Sequence, residues 1–181
     1  MSLLKFAKKY YNYFDMKQKK GFTLVELLVA IAIIAIIGIL AGVAVSAARS
    51  KQRDATRLSN VRQLQSVLEN HFNEVNAYPS GQDLPLGDAT QSVCLSTSGF
   101  LADCTYEEAV FMNVIMGIYS DGLEGLVVCG DPLRNAFCYT QKQEGDSYGI
   151  EFELENGLAQ VGLIAGVNCA TPQGMEAGSC L

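Results

Sequence analysis

The sequence predicts an α+β protein in which one long N-terminal helix, embedded in a membrane over its first half, packs on a small antiparallel β-sheet head. Residues 27–45 contain no charged or hydrogen-bonding side chain, and an apolar helix of about this length crosses a hydrocarbon core roughly 30 Å thick. Residues 148–155 alternate apolar and polar side chains, which is typical of a half-buried strand. We therefore expect a lollipop-like molecule whose helix continues into the head.

Charge is distributed unevenly along the chain. Residues 1–21 carry six lysines and one acid, whereas the remainder carries 7 basic and 18 acidic residues. Beyond Arg62 only Arg134 and Lys142 are basic, against sixteen acids. Because general DNA binding depends on neutralising phosphates with lysine and arginine, this part of the chain does not predict direct nucleic-acid binding. The length of 181 residues indicates one domain plus a tail.

The segment Lys20–Leu28, KGFTLVELL, joins a basic stretch to the apolar run. It resembles the class III signal of type IV pilins and their relatives, which include the pseudopilins of type II secretion. The resemblance implies that a prepilin peptidase cuts between Gly21 and Phe22 and that the new amine of Phe22 is methylated. Residues 1–21 would then be a cytoplasmic leader that is removed. An uncleaved signal anchor is the alternative.

Glu26 is the one charge that interrupts the start of the apolar span. A carboxylate inside a membrane costs several kcal/mol unless it has a partner or lies near the interface. One hypothesis is that Glu26 pairs with the free amine of Phe22, in its own or a neighbouring subunit, and so sets the axial register of a filament. The glutamate that the pilin family keeps lies at this same position after cleavage. The alternative is an interfacial anchor that reaches the lipid headgroups.

The helix is expected to divide into a membrane-spanning or filament-core part, 22–50, and an amphipathic part, 51–79. No proline interrupts it before Pro79, so about 55 continuous helical residues are expected. His71 is expected on the solvated face, opposite the apolar stripe. The stripe recurs at helical spacing and consists of Leu58, Val61, Leu64, Leu68, Phe72 and Val75.

The head, residues 80–181, contains all the cysteines of the chain. An even number of cysteines on one side of a membrane span indicates disulfides formed in an oxidising compartment. Six cysteines allow fifteen pairings, of which neighbours in sequence are the simplest. There is no C-x-x-C motif and only one histidine, so neither a redox-active dithiol nor a zinc site is expected. The six residues are Cys94, Cys104, Cys129, Cys138, Cys169 and Cys180.

Four elements are expected within the head. The capping-box pattern at residues 105–108 predicts a short helix that ends near Tyr119. Strands are predicted at residues 136–141 and 148–155, and Asn156-Gly157 favours a type I′ turn with a returning strand at 158–165. The apolar side chains of 148–155 are expected to pack on the helix stripe. The tail, from residue 167, is expected to be a loop closed by its two cysteines.

Acidic residues in the head give a candidate for a calcium site. Asp131-Pro132, followed by Asn135 and Tyr139, resembles the head of major pseudopilins, in which acidic loops can bind calcium. The candidate oxygen ligands are Asp121, Glu124 and Asp131. A solvated acidic loop is the alternative, and no other cofactor is expected.

No constellation of catalytic residues is present in the sequence, so the chain is not expected to be an enzyme. The resemblance implies a structural subunit of a type IV pilus-like filament that serves adhesion, motility or DNA uptake. The alternatives are a pseudopilin of a type II secretion system and a signal-anchored monomeric surface-binding module. Expected partners are copies of this or related pilins, the peptidase and methylase, and an inner-membrane assembly platform. We expect a single-pass protein of the cytoplasmic membrane with its head outside the cytoplasm, and later a surface or periplasmic filament.

Overall fold

The structure is a computed structural model that describes residues 21–117 and 122–180, except for the side chain of Arg134. Most of the predicted leader, residues 1–20, lies outside the described residues. The chain divides into two compact units, one that ends at Val45 and one that begins at Ser46. The described elements are α1 (Leu24–Val75), β1 (Leu84–Pro85), β2 (Cys94–Ser96), β3 (Gly99–Leu101), β4 (Val110–Met112), β5 (Val128–Cys129), β6 (Arg134–Asn135), β7 (Cys138–Lys142), β8 (Ser147–Leu154), β9 (Gly166–Thr171) and β10 (Gly174–Ala177).

Helix α1 is continuous over 52 residues, which confirms the prediction of one uninterrupted helix. Its first half is apolar and long enough to cross a membrane. The helix ends where Asn76 adopts a left-handed conformation, with φ of 60°, and donates its backbone N–H to the Phe72 carbonyl at 2.7 Å. Asparagine tolerates this conformation better than most residues, and it therefore ends the helix just before Pro79.

In the second unit, one face of α1 is buried by the head. The buried residues are spaced alternately by three and four, which defines a single helix face. The predicted stripe is thus confirmed at its centre, but Val75 is exposed and the face extends toward the N-terminus through two charged residues. Its members are Asp54, Arg57, Val61, Leu64, Leu68 and His71.

The prediction that His71 is solvated is wrong. Its side chain is 2% exposed, its Nδ1 lies 2.9 Å from the Ala77 carbonyl oxygen, and its ring makes an edge contact with Phe111 at 5.4 Å between centroids. Burial lowers the pKa of His71, while backbone carbonyl groups of Ala77 and Thr97 act in the opposite direction. The helix packs through His71 because its spacing continues the buried face, although its side chain is polar.

The main sheet has five antiparallel strands in the order β1-β7-β8-β9-β10. One row across it pairs Leu84 with Tyr139, Tyr139 with Ile150, and Ile150 with Ala170. Two smaller sheets accompany it, one with the order β3-β2-β4 and one formed by β5 and β6. Strands β7 and β8 correspond to two of the predicted antiparallel strands, whereas the third strand of the meander is β9, at Gly166–Thr171 instead of residues 158–165.

The core lies between α1 and the main sheet. Tyr148, Ile150, Phe152 and Leu154 of β8 are at most 1% exposed and share one cluster with the helix residues of the buried face, as the sequence predicts. Full burial of each such apolar side chain contributes roughly 1.5–3 kcal/mol. The hydroxyl of Tyr139 donates to the Pro79 carbonyl at 2.7 Å, so the chain that follows α1 is also fixed to the sheet.

The predicted helix from residue 105 is wrong, because the described part of this segment contains turns and strand β4. A capping box would place a glutamate on the Thr105 backbone N–H, but Asp103 accepts that hydrogen bond at 2.9 Å. Glu107 instead accepts hydrogen bonds from the hydroxyls of Ser96 and Ser98. Val110–Met112 is thus free to pair with β2.

The hairpin predicted after β8 is also wrong. The backbone N–H and side-chain amide of Asn156 donate to Asp54 at 2.7 and 3.0 Å, which holds the connection against α1. Residues 159–161 form a short 3-10 turn, and the returning strand begins only at Gly166. Gly157 keeps a positive φ of 69°, so a turn is present at the predicted place but it does not close a tight hairpin.

Two further boundaries differ from the sequence prediction. The strand expected at 136–141 is Cys138–Lys142. The tail expected as a loop contains β9 and β10, joined by Pro172 and Gln173. The two-residue connection places proline at the first central position of a turn, and Gly174 has a positive φ of 144°. These are turn signals of the kind found between strands, but no alternating pattern marks the strands on either side.

Three disulfides connect the described cysteines, each between neighbours in sequence. Cys94–Cys104 closes the loop that carries β2 and β3, and Cys129–Cys138 joins β5 to β7. Cys169–Cys180 fastens the tail, whose Cys180 backbone N–H also donates to Glu151 at 2.8 Å. No cysteine is left free.

Candidate functional site

The first candidate site is the start of helix α1. Thr23 and Glu26 form a reciprocal capping box: the Glu26 backbone N–H donates to Thr23 Oγ1 at 3.2 Å, and the Thr23 backbone N–H donates to Glu26 Oε2 at 2.9 Å. The Thr23 hydroxyl also donates to this carboxylate oxygen at 2.9 Å. Glu26 is therefore held near the N-terminus of the helix, where the helix dipole favours a negative charge.

Thr23 is a residue that the sequence interpretation missed. The signal was available, because threonine followed three residues later by glutamate, just before an apolar run, is the pattern of a capping box. The predicted cleavage site precedes it in an open position. Phe22 is 90% exposed, and among the described residues beyond its chain neighbours no atom lies within 4 Å of the place where a Cβ on Gly21 would be. Both residues precede the first residue of the helix.

The apolar surface that follows is uncovered. Every large apolar side chain from Phe22 to Val45 is between 48% and 90% exposed. Soluble monomeric proteins rarely leave a continuous apolar surface of this size exposed to water. No described residue of the first unit covers this apolar surface. A bilayer, or the apolar helices of other subunits, could cover it.

The second candidate site is a buried ion cluster, which lies entirely in the head unit. Arg57 donates from one guanidinium nitrogen to Asp54 at 3.0 Å and to Glu155 at 2.7 Å, and its side chain is 2% exposed. Arg53 binds the same Glu155 through two hydrogen bonds of 2.7 and 2.6 Å. The hydrogen bonds from Arg53 first, and those from Arg57, lower the pKa of Glu155 although its partial burial opposes this.

Asp54 completes the cluster by holding the chain that follows β8. Its carboxylate accepts the backbone N–H groups of Glu155 and Asn156 at 2.8 and 2.7 Å, in addition to the Asn156 side-chain amide. Paired buried charges are costly to disrupt, because removal of one partner leaves the other charge desolvated. The cluster therefore fixes helix α1 to the β8–β9 connection.

Glu153 holds a second segment of the head. It is 3% exposed and accepts the backbone N–H groups of Glu124, Gly125 and Leu126 at 2.7–3.1 Å, together with the Asn135 side-chain amide at 3.1 Å. Burial raises the pKa of Glu153, but these donors outweigh it and leave the pKa below its usual value.

The calcium candidates are not brought together by these contacts. Glu124 and Asp131 are both exposed, and Asp121 lies outside the described residues. Among residues 21–117 and 122–180, no group of three or more His, Cys, Asp or Glu side chains is placed to hold a metal ion. A calcium site at Asp121, Glu124 and Asp131 therefore stays a prediction.

Comparison with known protein families gives a match over the region of the first site. Residues 16–45 match the family described as the prokaryotic N-terminal methylation motif, which is the class III signal peptide of type IV pilins and pseudopilins. Comparisons with curated proteins and with solved structures give no match. The motif, the long apolar helix and the antiparallel sheets define the chain as pilin-like in architecture. They support a membrane-anchored chain that carries the N-terminal signal of type IV pilins and pseudopilins.

Proposed function

We propose that the chain is a structural subunit of a type IV pilus-like filament that serves adhesion, motility or DNA uptake. The observation that carries the proposal is the methylation motif at residues 16–45, which leads without a break into an apolar helix whose side chains are uncovered. In the membrane, lipid would cover this surface before assembly. In a filament, the same surface of neighbouring subunits would cover it.

Processing supplies the partner that Glu26 needs. Cleavage between Gly21 and Phe22 by a prepilin peptidase would create an ammonium group on Phe22, four residues before Glu26. The capping contacts with Thr23 satisfy the carboxylate through hydrogen bonds but leave its charge unneutralised. Pairing with the methylated amine of Phe22 in a neighbouring subunit would neutralise both charges and fix the axial register between subunits.

Filament yield in surface shearings from cells tests this proposal. We expect wild-type chain in the sheared fraction and a loss of at least tenfold for Glu26→Gln, which keeps a hydrogen-bonding side chain but removes the charge. The matched control is Glu74→Gln, an exposed glutamate on the same helix outside the apolar span. Equal yields for both variants, at equal membrane levels, would contradict the role of Glu26. Absence of the wild-type chain from the shearings would favour a membrane-tethered surface-binding module.

A pseudopilin of a type II secretion system is the second candidate. It is favoured by the resemblance of Asp131-Pro132, Asn135 and Tyr139 to the head of major pseudopilins. For a pseudopilin, deletion of the chain would stop the export of secreted proteins, and short periplasmic filaments would replace surface ones. Calcium at Asp121, Glu124 and Asp131 belongs with this candidate, and would raise the melting temperature of the wild-type chain but not of Asp131→Asn.

Both candidates share partners and location. We infer that the chain is recognised by the peptidase and methylase and by an inner-membrane assembly platform, and that the head lies outside the cytoplasm. The three disulfides support this location, because disulfides persist in oxidising compartments.

A further inference from the structure

Four basic residues lie close together at the start of the head unit, and they differ in what they contact. Arg53 and Arg57 bind Glu155 and Asp54 within the head. Arg49 and Lys51 are exposed and make no salt bridge to a described residue. Two positive charges are therefore available to a partner outside the chain, and the sequence alone does not distinguish them from the two that are internally paired.

The arrangement of Arg49 and Lys51 indicates the shape of that partner. Two residues apart on a helix, they project about 200° from each other, since each residue turns the helix by about 100°. A protein docked on one side of the helix would reach only one of them. A layer of small anionic groups that surrounds the helix would reach both.

Their position along the chain indicates the chemistry. Arg49 and Lys51 follow the last residue of the apolar run, Val45, by four and six residues on one continuous helix. At a rise of about 1.5 Å per residue this is roughly 6–9 Å, the depth at which headgroup phosphates border the hydrocarbon core. Lysine and arginine side chains extend readily toward such an interface.

We propose that Arg49 and Lys51 form a collar that binds the phosphates of anionic lipid headgroups. The remainder of the head beyond Arg57 carries three basic and sixteen acidic residues, so the same lipid surface repels it. The contact of the collar with these lipids would slow the lateral diffusion of the chain in the membrane and enrich anionic lipid around the helix.

The absence of tryptophan from the sequence permits a direct test. An Ala48→Trp variant of the full chain, with its single tryptophan beside the collar, is reconstituted in phosphatidylcholine vesicles. These contain a trace of dansyl-labelled phosphatidylglycerol or dansyl-labelled phosphatidylcholine. We expect more energy transfer to the labelled phosphatidylglycerol. Its relative affinity falls roughly fivefold for each collar charge that is removed by Arg49→Gln or Lys51→Gln, and the preference disappears at high salt.

The matched control is Arg62→Gln, an exposed arginine seventeen residues after Val45 on the same helix. It lowers the net charge by the same amount and should leave the preference unchanged. Equal transfer to both labelled lipids in the wild-type background would overturn the proposal, as would an equal loss in Arg62→Gln and Arg49→Gln. A preference for phosphatidylglycerol that appears only at high protein density would also overturn the proposal, because it would indicate that Arg49 and Lys51 contact a second copy of the chain.

Discussion

Replacement of Arg57 by methionine should destabilise the head strongly, and well beyond the same replacement of Arg53. The Arg57 side chain is 2% exposed and bridges Asp54 and Glu155, so its removal leaves the buried Asp54 carboxylate and the partly buried Glu155 carboxylate without the guanidinium that contacts both. Breaking a buried ion pair from one side costs about 3–5 kcal/mol. Arg53 and the backbone donors remain, so we expect a loss near the lower end, about 3 kcal/mol.

Arg53→Met is the matched control for this prediction. Arg53 also binds Glu155, but its side chain is 40% exposed, and exposed ion pairs contribute about 1 kcal/mol or less. The two variants remove the same charge from the same helix and differ mainly in burial. The expected ranking of the destabilisations, Arg57→Met well above Arg53→Met, therefore follows from the geometry of the cluster rather than from net charge.

The assay is equilibrium urea unfolding of the full chain in detergent micelles with the disulfides intact. Near-ultraviolet circular dichroism of the buried tyrosines, among them Tyr139 and Tyr148, reports the head, and linear extrapolation gives the free energy of unfolding. Equal destabilisation by Arg57→Met and Arg53→Met, or a loss below about 1 kcal/mol for Arg57→Met, would refute the assignment of Arg57 to a buried cluster.

Three further predictions concern the head. Because burial lowers the pKa of His71, the unfolded state binds the proton more tightly than the folded state does. The free energy of unfolding should therefore fall as the pH drops below about 6.5. His71→Asn should remove this pH dependence in urea titrations between pH 7 and 5. The lowered pKa of Glu153 contributes stability above about pH 4.3 that is lost as the pH falls through the folded-state pKa. Glu153→Gln should cost about 2 kcal/mol and speed hydrogen exchange at residues 124–126, while unchanged exchange there would count against the contacts. Gly117→Ala should destabilise by about 1–3 kcal/mol, because its Cβ would clash with the Leu86 carbonyl group. A melting temperature equal to that of the wild type would show that this packing is wrong.

The sequence predicted those elements whose periodicity reflects burial on one side. Strand β8 was found from alternation at Tyr148, Ile150, Phe152 and Leu154, since one face of the strand packs on the core. Helix α1 was found from its apolar run and from the absence of proline. The methylation motif was identified because its residues are contiguous and need no tertiary contact to be read.

The elements that the sequence did not predict depend on long-range contacts of polar groups. His71 and Arg57 lie on the buried helix face. His71 was expected in solvent because it is polar, and only a partner about 100 residues away, Glu155, explains the burial of Arg57. The same applies to Asn156, whose local preference for a tight turn is overridden by its hydrogen bonds to Asp54. Such pairings have no local signature, apart from the three- and four-residue spacing that continues the apolar stripe.

Intact-mass spectrometry of the chain purified from its native membrane or surface fraction tests the central claim most directly. We expect a protein that begins at methylated Phe22 and gains six hydrogens on reduction, which corresponds to three disulfides. A chain that still carries residues 1–21 would contradict the proposal, because Phe22 would have no free amine and Glu26 would have no partner for assembly.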